Sequence, residues 1–177
     1  MADQEFEVTA KLQIRTITAN DAVDLHTYCF SAKPLEELEK EIKQDVAQAR
    51  QGKVFRVVAE ASGHPIGHIR LERSKLDDAI GEINQLAVSP PFRKFDVADH
   101  LVKVIEEVAA DNKMQALRIE VPKSETAIIE AYKKWGFGER PVVTLQKEIA
   151  GTNKENPDSE AEAPGGNDEK GEQQELL

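Results

Sequence analysis

The stretch that decides the fold reads LAVSPPFRKFDVA over Leu86–Ala98. An apolar strand end runs into a basic loop with two prolines, and apolar residues then recur at helical spacing at Val97, Leu101, Ile105 and Val108. Such a junction brings together the free backbone N–H groups of a helix start and the positive end of the helix dipole. Because this arrangement binds anions, usually phosphate groups, the stretch predicts a phosphate-binding loop.

Apolar periodicity on either side of this stretch predicts a single α/β domain. The predicted element order is β, α, α, β, β, β, α, β, α, β, which corresponds to a mixed sheet flanked by about four helices. The helices are predicted to start near Thr18, Pro34, Val97 and Thr126. The predicted strands are a short one at Leu12–Ile17, then Val54–Ala61, Ile66–Glu72, Ile80–Val88, Ala116–Val121 and Val142–Gln146.

Charge and composition divide the chain of 177 residues into three parts. The segment Gly151–Leu177 carries eight acidic residues and two lysines, so it holds most of the formal net charge of −10. It is rich in Gly, Glu, Asp, Asn, Gln and Pro and has no aromatic residue, a composition that predicts an acidic, disordered tail. The expected organisation is an N-terminal extension over residues 1–11, a domain over residues 12–150 and the tail over residues 151–177.

Several classes of partner are not expected from this composition. The body of the chain is mildly acidic and shows no basic face, which argues against nucleic-acid binding. The acidic start is not a signal peptide, and no apolar stretch is long enough to span a bilayer, so a cytoplasmic protein without membrane contact is expected. No histidine pairs with a cysteine or carboxylate at metal-ligand spacing, so no metal site is predicted.

A second motif, AYKKWGF over Ala131–Phe137, ends the predicted fourth helix. Together with the order Val88-x-Pro90-x-x-Arg93 and the loop-to-helix junction at Ala98, it resembles the GNAT acetyltransferase superfamily. The motif is most similar to the branch that acetylates protein N-termini, including those of ribosomal proteins. The resemblance implies a mostly antiparallel central sheet, direct acetyl transfer from acetyl-CoA to a primary amine, and a monomer or a homodimer. It implies an acceptor that is either an amine-bearing small molecule or a protein N-terminus or lysine.

The same resemblance assigns roles to individual residues. It implies that the backbone of Leu86, Ala87 and Val88 pairs with the pantetheine arm of the cofactor, as an added strand would. It implies that Tyr132 protonates the departing thiolate and that Glu82 serves as the general base, through a water molecule. The loop implied to hold the pyrophosphate consists of Arg93, Lys94, Phe95, Asp96, Val97 and Ala98.

Three residues depart from the family pattern: Ile128 stands where the pattern has an alanine, and the other two are acidic. Asp96 stands where the family usually has a glycine, and Glu125 stands where an asparagine helps to hold the pantetheine arm. Each candidate also has a structural interpretation: Asp96 as a helix cap, Tyr132 as a core residue and Glu82 as an exposed strand residue. A second function therefore stays open, a GNAT-like module with weak or no catalysis that senses CoA or binds another protein.

Overall fold

The computed structural model describes residues 11–143, 145 and 147, and these contain five strands and four α-helices. Two short 3₁₀ helices, Ala19–Asp21 and Pro90–Phe92, precede the first and the third α-helix. No helix in the described residues is both long and apolar enough to cross a bilayer. In chain order the elements are β1 Leu12–Thr16, α1 Ala22–Tyr28, α2 Leu35–Ala49, β2 Val54–Ala61, β3 His64–Arg73, β4 Ile80–Val88, α3 Val97–Asp111, β5 Ala116–Arg118 and α4 Thr126–Lys134.

The five strands form one sheet in sequence order, β1-β2-β3-β4-β5. Strands β1 to β4 are antiparallel neighbours, whereas β4 and β5 are parallel because α3 connects them. This arrangement confirms the predicted fold class, a mixed and mostly antiparallel sheet with flanking helices.

Strands β4 and β5 are paired over three residues and then separate. The paired segment is Ile80–Glu82 on β4, and its last residue lies beside Arg118. Two residues further along β4, Asn84 is an extra residue in the ladder, because Ile83 pairs with Leu71 while Gln85 pairs with Arg70. A bulge of this kind bends its strand and increases the local twist. The edge of β4 beyond it therefore has no strand beside it in the described residues.

Helices cover both faces of the sheet. On one face the apolar side chains of β2, β3 and β4 pack against α3 and Tyr132 of α4. On the other face α1 and α2 enclose a smaller apolar cluster with Val58 of β2. The smaller cluster consists of Ile17, Ala22, Leu25, Leu38, Ile42 and Val58.

Two predicted strands differ from the observed ones. The strand predicted over Ala116–Val121 ends at Arg118 as β5, because β4 turns away after Glu82 and offers no further backbone groups. The strand predicted over Val142–Gln146 is not observed: Val142, Val143 and Leu145 are in no strand, and the other two positions lie outside the described residues. The compact unit that holds all the elements ends at Phe137. The predicted tail, residues 151–177, and residues 1–10 of the predicted extension also lie outside the described residues.

Candidate functional site

The unpaired edge of β4 presents backbone hydrogen-bonding groups at alternate residues. The Ser89 N–H donates to the Ile66 carbonyl at 2.7 Å, so Val88 and its partner Gly67 form a pair without mutual hydrogen bonds. By the same alternation, Leu86 also directs its N–H and C=O groups away from β3. Ala87 lies between them and directs its backbone groups toward His68 of β3. The open edge thus leaves the N–H and C=O groups of Leu86 and the N–H of Val88 without a strand partner.

The basic loop begins where this edge ends. Its first turn is the 3₁₀ helix Pro90–Phe92, and the Arg93 side chain folds back so that its Nε donates to the Val88 carbonyl at 3.2 Å. Lys94 and Phe95 are exposed, and 65% of the surface of Phe95 is accessible to solvent. One cation of the loop is therefore fixed at the end of β4, and the other faces solvent.

Asp96 takes the backbone conformation for which glycine is usually required. Its φ and ψ are 52° and 24°, in the left-handed region that Asp tolerates better than most residues. Its carbonyl accepts the His100 N–H at 3.2 Å, but its side chain makes no capping hydrogen bond to α3. The interpretation of Asp96 as a side-chain cap is therefore wrong, and its carboxylate does not occupy the N–H groups of the first turn.

Tyr132 joins the larger core cluster and is 5% exposed. Its ring meets Trp135 and Phe137 edge-on, with centroids 5.0 and 5.1 Å away. Burial raises the pKa of Tyr132 to about 12, so the phenol stays protonated at neutral pH. The Tyr132 hydroxyl makes no hydrogen bond to a described residue. Among the described residues, the one fully enclosed side-chain polar atom without a partner is His68 Nε2, and not the Tyr132 oxygen. The Tyr132 oxygen is therefore not fully enclosed.

Glu82 lies at the vertex where β4 and β5 separate. It is opposite Glu72 of β3, whose carboxylate accepts bonds from Arg70 and Asn84. Cross-strand neighbours share a face of the sheet, so Glu82 lies on the α2 side while Tyr132 packs on the α3 side. Glu82 itself is half-buried and has no ion pair or hydrogen bond with a described residue. The base and acid candidates thus belong to opposite faces of β4, on either side of the opening.

A buried cluster of charged residues beneath α2 was not predicted from the sequence. Arg56 is completely enclosed, and its Nη1 donates at 2.9 Å to both Glu41 and Asp45. Its Nη2 reaches across β3 to the Gln85 side chain on β4, at 3.1 Å. Asp45 also pairs with Arg70 at 3.0 Å, which places one carboxylate between two guanidinium groups. A sequence signal exists, because Asp45 follows Ile42 by three residues on the apolar stripe of α2.

Lys33 and Arg56 favour the ionised form of Glu41, the carboxylate at the edge of this cluster. Burial on its own would raise the pKa of Glu41, but the Lys33 hydrogen bond and the Arg56 charge outweigh it and lower that pKa.

Among the described residues, no group of three or more His, Cys, Asp or Glu side chains is arranged to hold a metal ion. The groups described at the site are the backbone groups of the β4 edge, the cations Arg93 and Lys94, and the Tyr132 phenol.

Comparison with known proteins identifies the family. The family model described as Acetyltransferase (GNAT) family matches residues 18–137. The chain belongs to the GNAT family. The match spans the open edge of β4, the basic loop and the Tyr132 helix, so every site candidate lies inside the GNAT region. A search among curated proteins finds no significant match.

Solved structures of GNAT proteins share this fold. The aminoglycoside N-acetyltransferase AAC(6')-Iy in complex with CoA superposes with a TM-score of 0.68 at 14% identity, over 81% of this chain and 99% of that chain. The PaiA N-acetyltransferase of Thermoplasma acidophilum, in complex with coenzyme A, gives 0.60 at 16% identity, over 75% and 93%. An acetyltransferase of Trypanosoma brucei gives 0.58 at 17% identity, over 78% and 100%. At these identities the likeness shows the fold alone.

Proposed function

We propose that this protein is an acetyl-CoA-dependent N-acetyltransferase that transfers the acetyl group directly to a primary amine. The observation that carries the proposal is the continuity between the open edge of β4 and the uncapped N-terminus of α3. An extended amide-containing arm fits the first feature, and a pyrophosphate fits the second. Acetyl-CoA joins these two groups in one molecule.

In this proposal the pantetheine amides bond the N–H and C=O groups of Leu86 and the N–H of Val88, whose carbonyl already accepts the Arg93 bond. Ala87 lies between them as part of the same strand. The pyrophosphate lies against the loop from Arg93 through Lys94 to Ala98, where Asp96 supplies the left-handed turn and Val97 anchors the helix in the core. Val97 is 2% exposed, so the first turn of α3 is held firmly. Positioning of this kind accounts for much of the rate gain in transfer reactions.

The chemical step follows from the placement of the two remaining candidates. Glu82, through a water molecule, takes the proton that the acceptor ammonium must lose before its nitrogen can attack. The nitrogen then bonds to the thioester carbon, the carbon–sulfur bond breaks, and the thiolate takes the Tyr132 proton. The attacking nitrogen releases its second proton to water as the amide forms, and the phenolate regains a proton from water before the next turnover. Burial keeps the Tyr132 phenol protonated at neutral pH, which is the state that a proton donor needs.

The acceptor is proposed by class. Two proteins with this fold are described as aminoglycoside acetyltransferases, AAC(6')-Iy and meta-AAC0020, the second of them in complex with sisomicin. The Ala131–Phe137 motif instead favours a protein N-terminus. Both acceptors are primary amines, and a panel that contains an aminoglycoside, a polyamine and short peptides with different first residues would separate them.

Calorimetric titration with acetyl-CoA tests the proposal, with desulfo-CoA as the non-reactive analogue. Micromolar binding of both ligands is the expected result. Absence of binding at millimolar ligand would contradict the proposal. It would favour the second candidate, a GNAT-like module that has lost the cofactor, for which the acidic residues Asp96 and Glu125 are the specific motivation.

Two substitutions at one position separate charge from backbone shape at the loop. Asp96→Asn removes the negative charge and keeps a Cβ atom, whereas Asp96→Gly removes both. If the carboxylate opposes the cofactor, both variants should bind desulfo-CoA more tightly than the wild type. If the Cβ atom obstructs close approach, only the glycine variant should. Asp111→Asn at the far end of α3 is the matched control for loss of one charge. If neither variant gains affinity, Asp96 is not an obstacle to the cofactor.

A further inference from the structure

One side-chain bond joins the two helices that flank the proposed cofactor site. The indole N–H of Trp135, at the C-terminal end of α4, donates to the Asp99 carboxylate. Asp99 is the third residue of α3 and therefore belongs to the first turn, next to the proposed pyrophosphate loop. The bond thus connects the phosphate-binding end of one helix to the end of the other.

Trp135 also contacts the proposed acid. The Tyr132 ring lies edge-on to the Trp135 ring at 5.0 Å, and Phe137 completes the aromatic enclosure at 5.1 Å. The same indole that donates to Asp99 therefore forms one wall of the Tyr132 pocket. Any movement of Trp135 away from α3 would remove this ring contact and expose more of the Tyr132 side chain to water.

Asp99 bonds Trp135 and does not cap the N-terminus of α3. A carboxylate at this position can reach back to the N-cap backbone in a capping box, where it would stand among the groups that bind a pyrophosphate. In the described structure the Asp99 carboxylate bonds the indole, and no side chain caps α3. The negative charge is thereby engaged by a neighbouring helix while the first-turn N–H groups remain available.

We propose that Asp99 is a positioning residue that, through Trp135, holds the Tyr132 phenol at a fixed place relative to the first turn of α3. The inference rests on the proposed function, in which Tyr132 is the acid and that turn binds the cofactor. Asp99 itself does not touch the reacting atoms. Its contribution is to make the cofactor-binding turn and the acid one rigid unit, which is the geometric requirement of a general acid.

The matched pair Asp99→Asn and Asp99→Ala tests this role. Both variants lose the same charge, but asparagine keeps an oxygen that accepts the indole N–H. Trp135→Phe removes the donor and keeps a ring. The readout is the pH titration of Tyr132 by NMR of tyrosine labelled with ¹³C at Cζ, in a Tyr28→Phe background in which Tyr132 is the single tyrosine.

The expected pKa of Tyr132 stays near 12 in Asp99→Asn and falls by roughly one unit in Asp99→Ala and in Trp135→Phe. The double variant Asp99→Ala/Trp135→Phe should show no further fall, because both changes break one bond. An unchanged pKa in Asp99→Ala, or an equal fall in Asp99→Asn, would overturn the positioning role. This titration needs no cofactor, so its result is independent of whether acetyl-CoA binds.

Discussion

Replacement of His68 by asparagine should remove a specific part of the pH dependence of stability. His68 is fully enclosed on β3, and its Nδ1 accepts the Arg56 Nε–H at 3.1 Å. Nδ1 is therefore unprotonated, and the proton of the neutral ring must be on Nε2. Burial, with the nearby charges of Arg56 and Arg70, holds the pKa of His68 well below 6.5. An asparagine oxygen can accept the same Arg56 bond and does not titrate.

The sign and size of the effect follow from linkage. Below pH 6.5 the unfolded chain binds a proton at His68 and the folded chain does not, so folding becomes less favourable as the pH falls. For one such group the loss between pH 7.5 and pH 5.5 is about 1.4 kcal/mol. The stability that His68 contributes is fully present above its unfolded pKa and is lost below it, until the folded pKa is reached.

Urea unfolding at both pH values measures this loss in the wild type and in His68→Asn. The smaller side chain should lower stability at every pH, so the relevant quantity is the difference between the two pH values and not the absolute free energy. That difference should be about 1.4 kcal/mol smaller in the variant. His100→Asn, which removes an exposed histidine of α3, is the matched control. The same pH dependence in His68→Asn and the wild type would refute the assignment, as would an equal change in the control.

Three further substitutions test the acid, the packing beneath β4 and the buried ion pairs. Tyr132→Phe should lower turnover roughly 10²- to 10⁴-fold and leave urea stability within about 1 kcal/mol, because the hydroxyl has no described partner; unchanged turnover would exclude the role. Gly81→Ala should cost roughly 1–3 kcal/mol in unfolding, because the added Cβ would lie 2.7–2.9 Å from atoms of three core side chains. Gly138→Ala, with open space around it, is its control. Asp45→Asn should cost roughly 1.5–3 kcal/mol, because two arginines lose their shared carboxylate while Arg56 keeps Glu41 and Arg70 keeps Glu72, and a loss below 1 kcal/mol would contradict that pairing.

The sequence predicted those parts of the fold that depend on local periodicity. The bounds of β2 and β4 agree with the predicted ones, and α3 starts at the predicted residue, because each of these elements has a regular apolar pattern along its length. The end of β5 could not be predicted in this way. It depends on how far β4 remains beside it, and that is set by a bulge at Asn84 that no local pattern marks.

The same distinction separates the site residues. The loop after β4 and the Tyr132 helix were recognisable because contiguous residues carry their motifs. The Trp135–Asp99 bond joins residues 36 positions apart, and the Arg56–Gln85 bond joins residues 29 positions apart. Contacts at such separations depend on the assembled sheet, so a single sequence gives at most a hint, such as the charged Asp45 beside an apolar stripe.

The acidic residues around the loop are the feature on which a choice between enzyme and inactive module depends, and their placement favours the enzyme. A carboxylate opposes cofactor binding if it occupies the first-turn N–H groups of α3 or adds unneutralised charge beside them. Asp96 does not occupy those groups, since its backbone provides the turn that glycine provides elsewhere. Asp99 is engaged by the Trp135 indole. Glu125 caps no helix N–H either. Apart from the Cβ atom of Asp96, the obstacle that these residues present is therefore their charge. Salt screens the charge repulsion between exposed groups. As ionic strength rises, the affinity for desulfo-CoA should therefore fall less in the wild type than in Asp96→Asn.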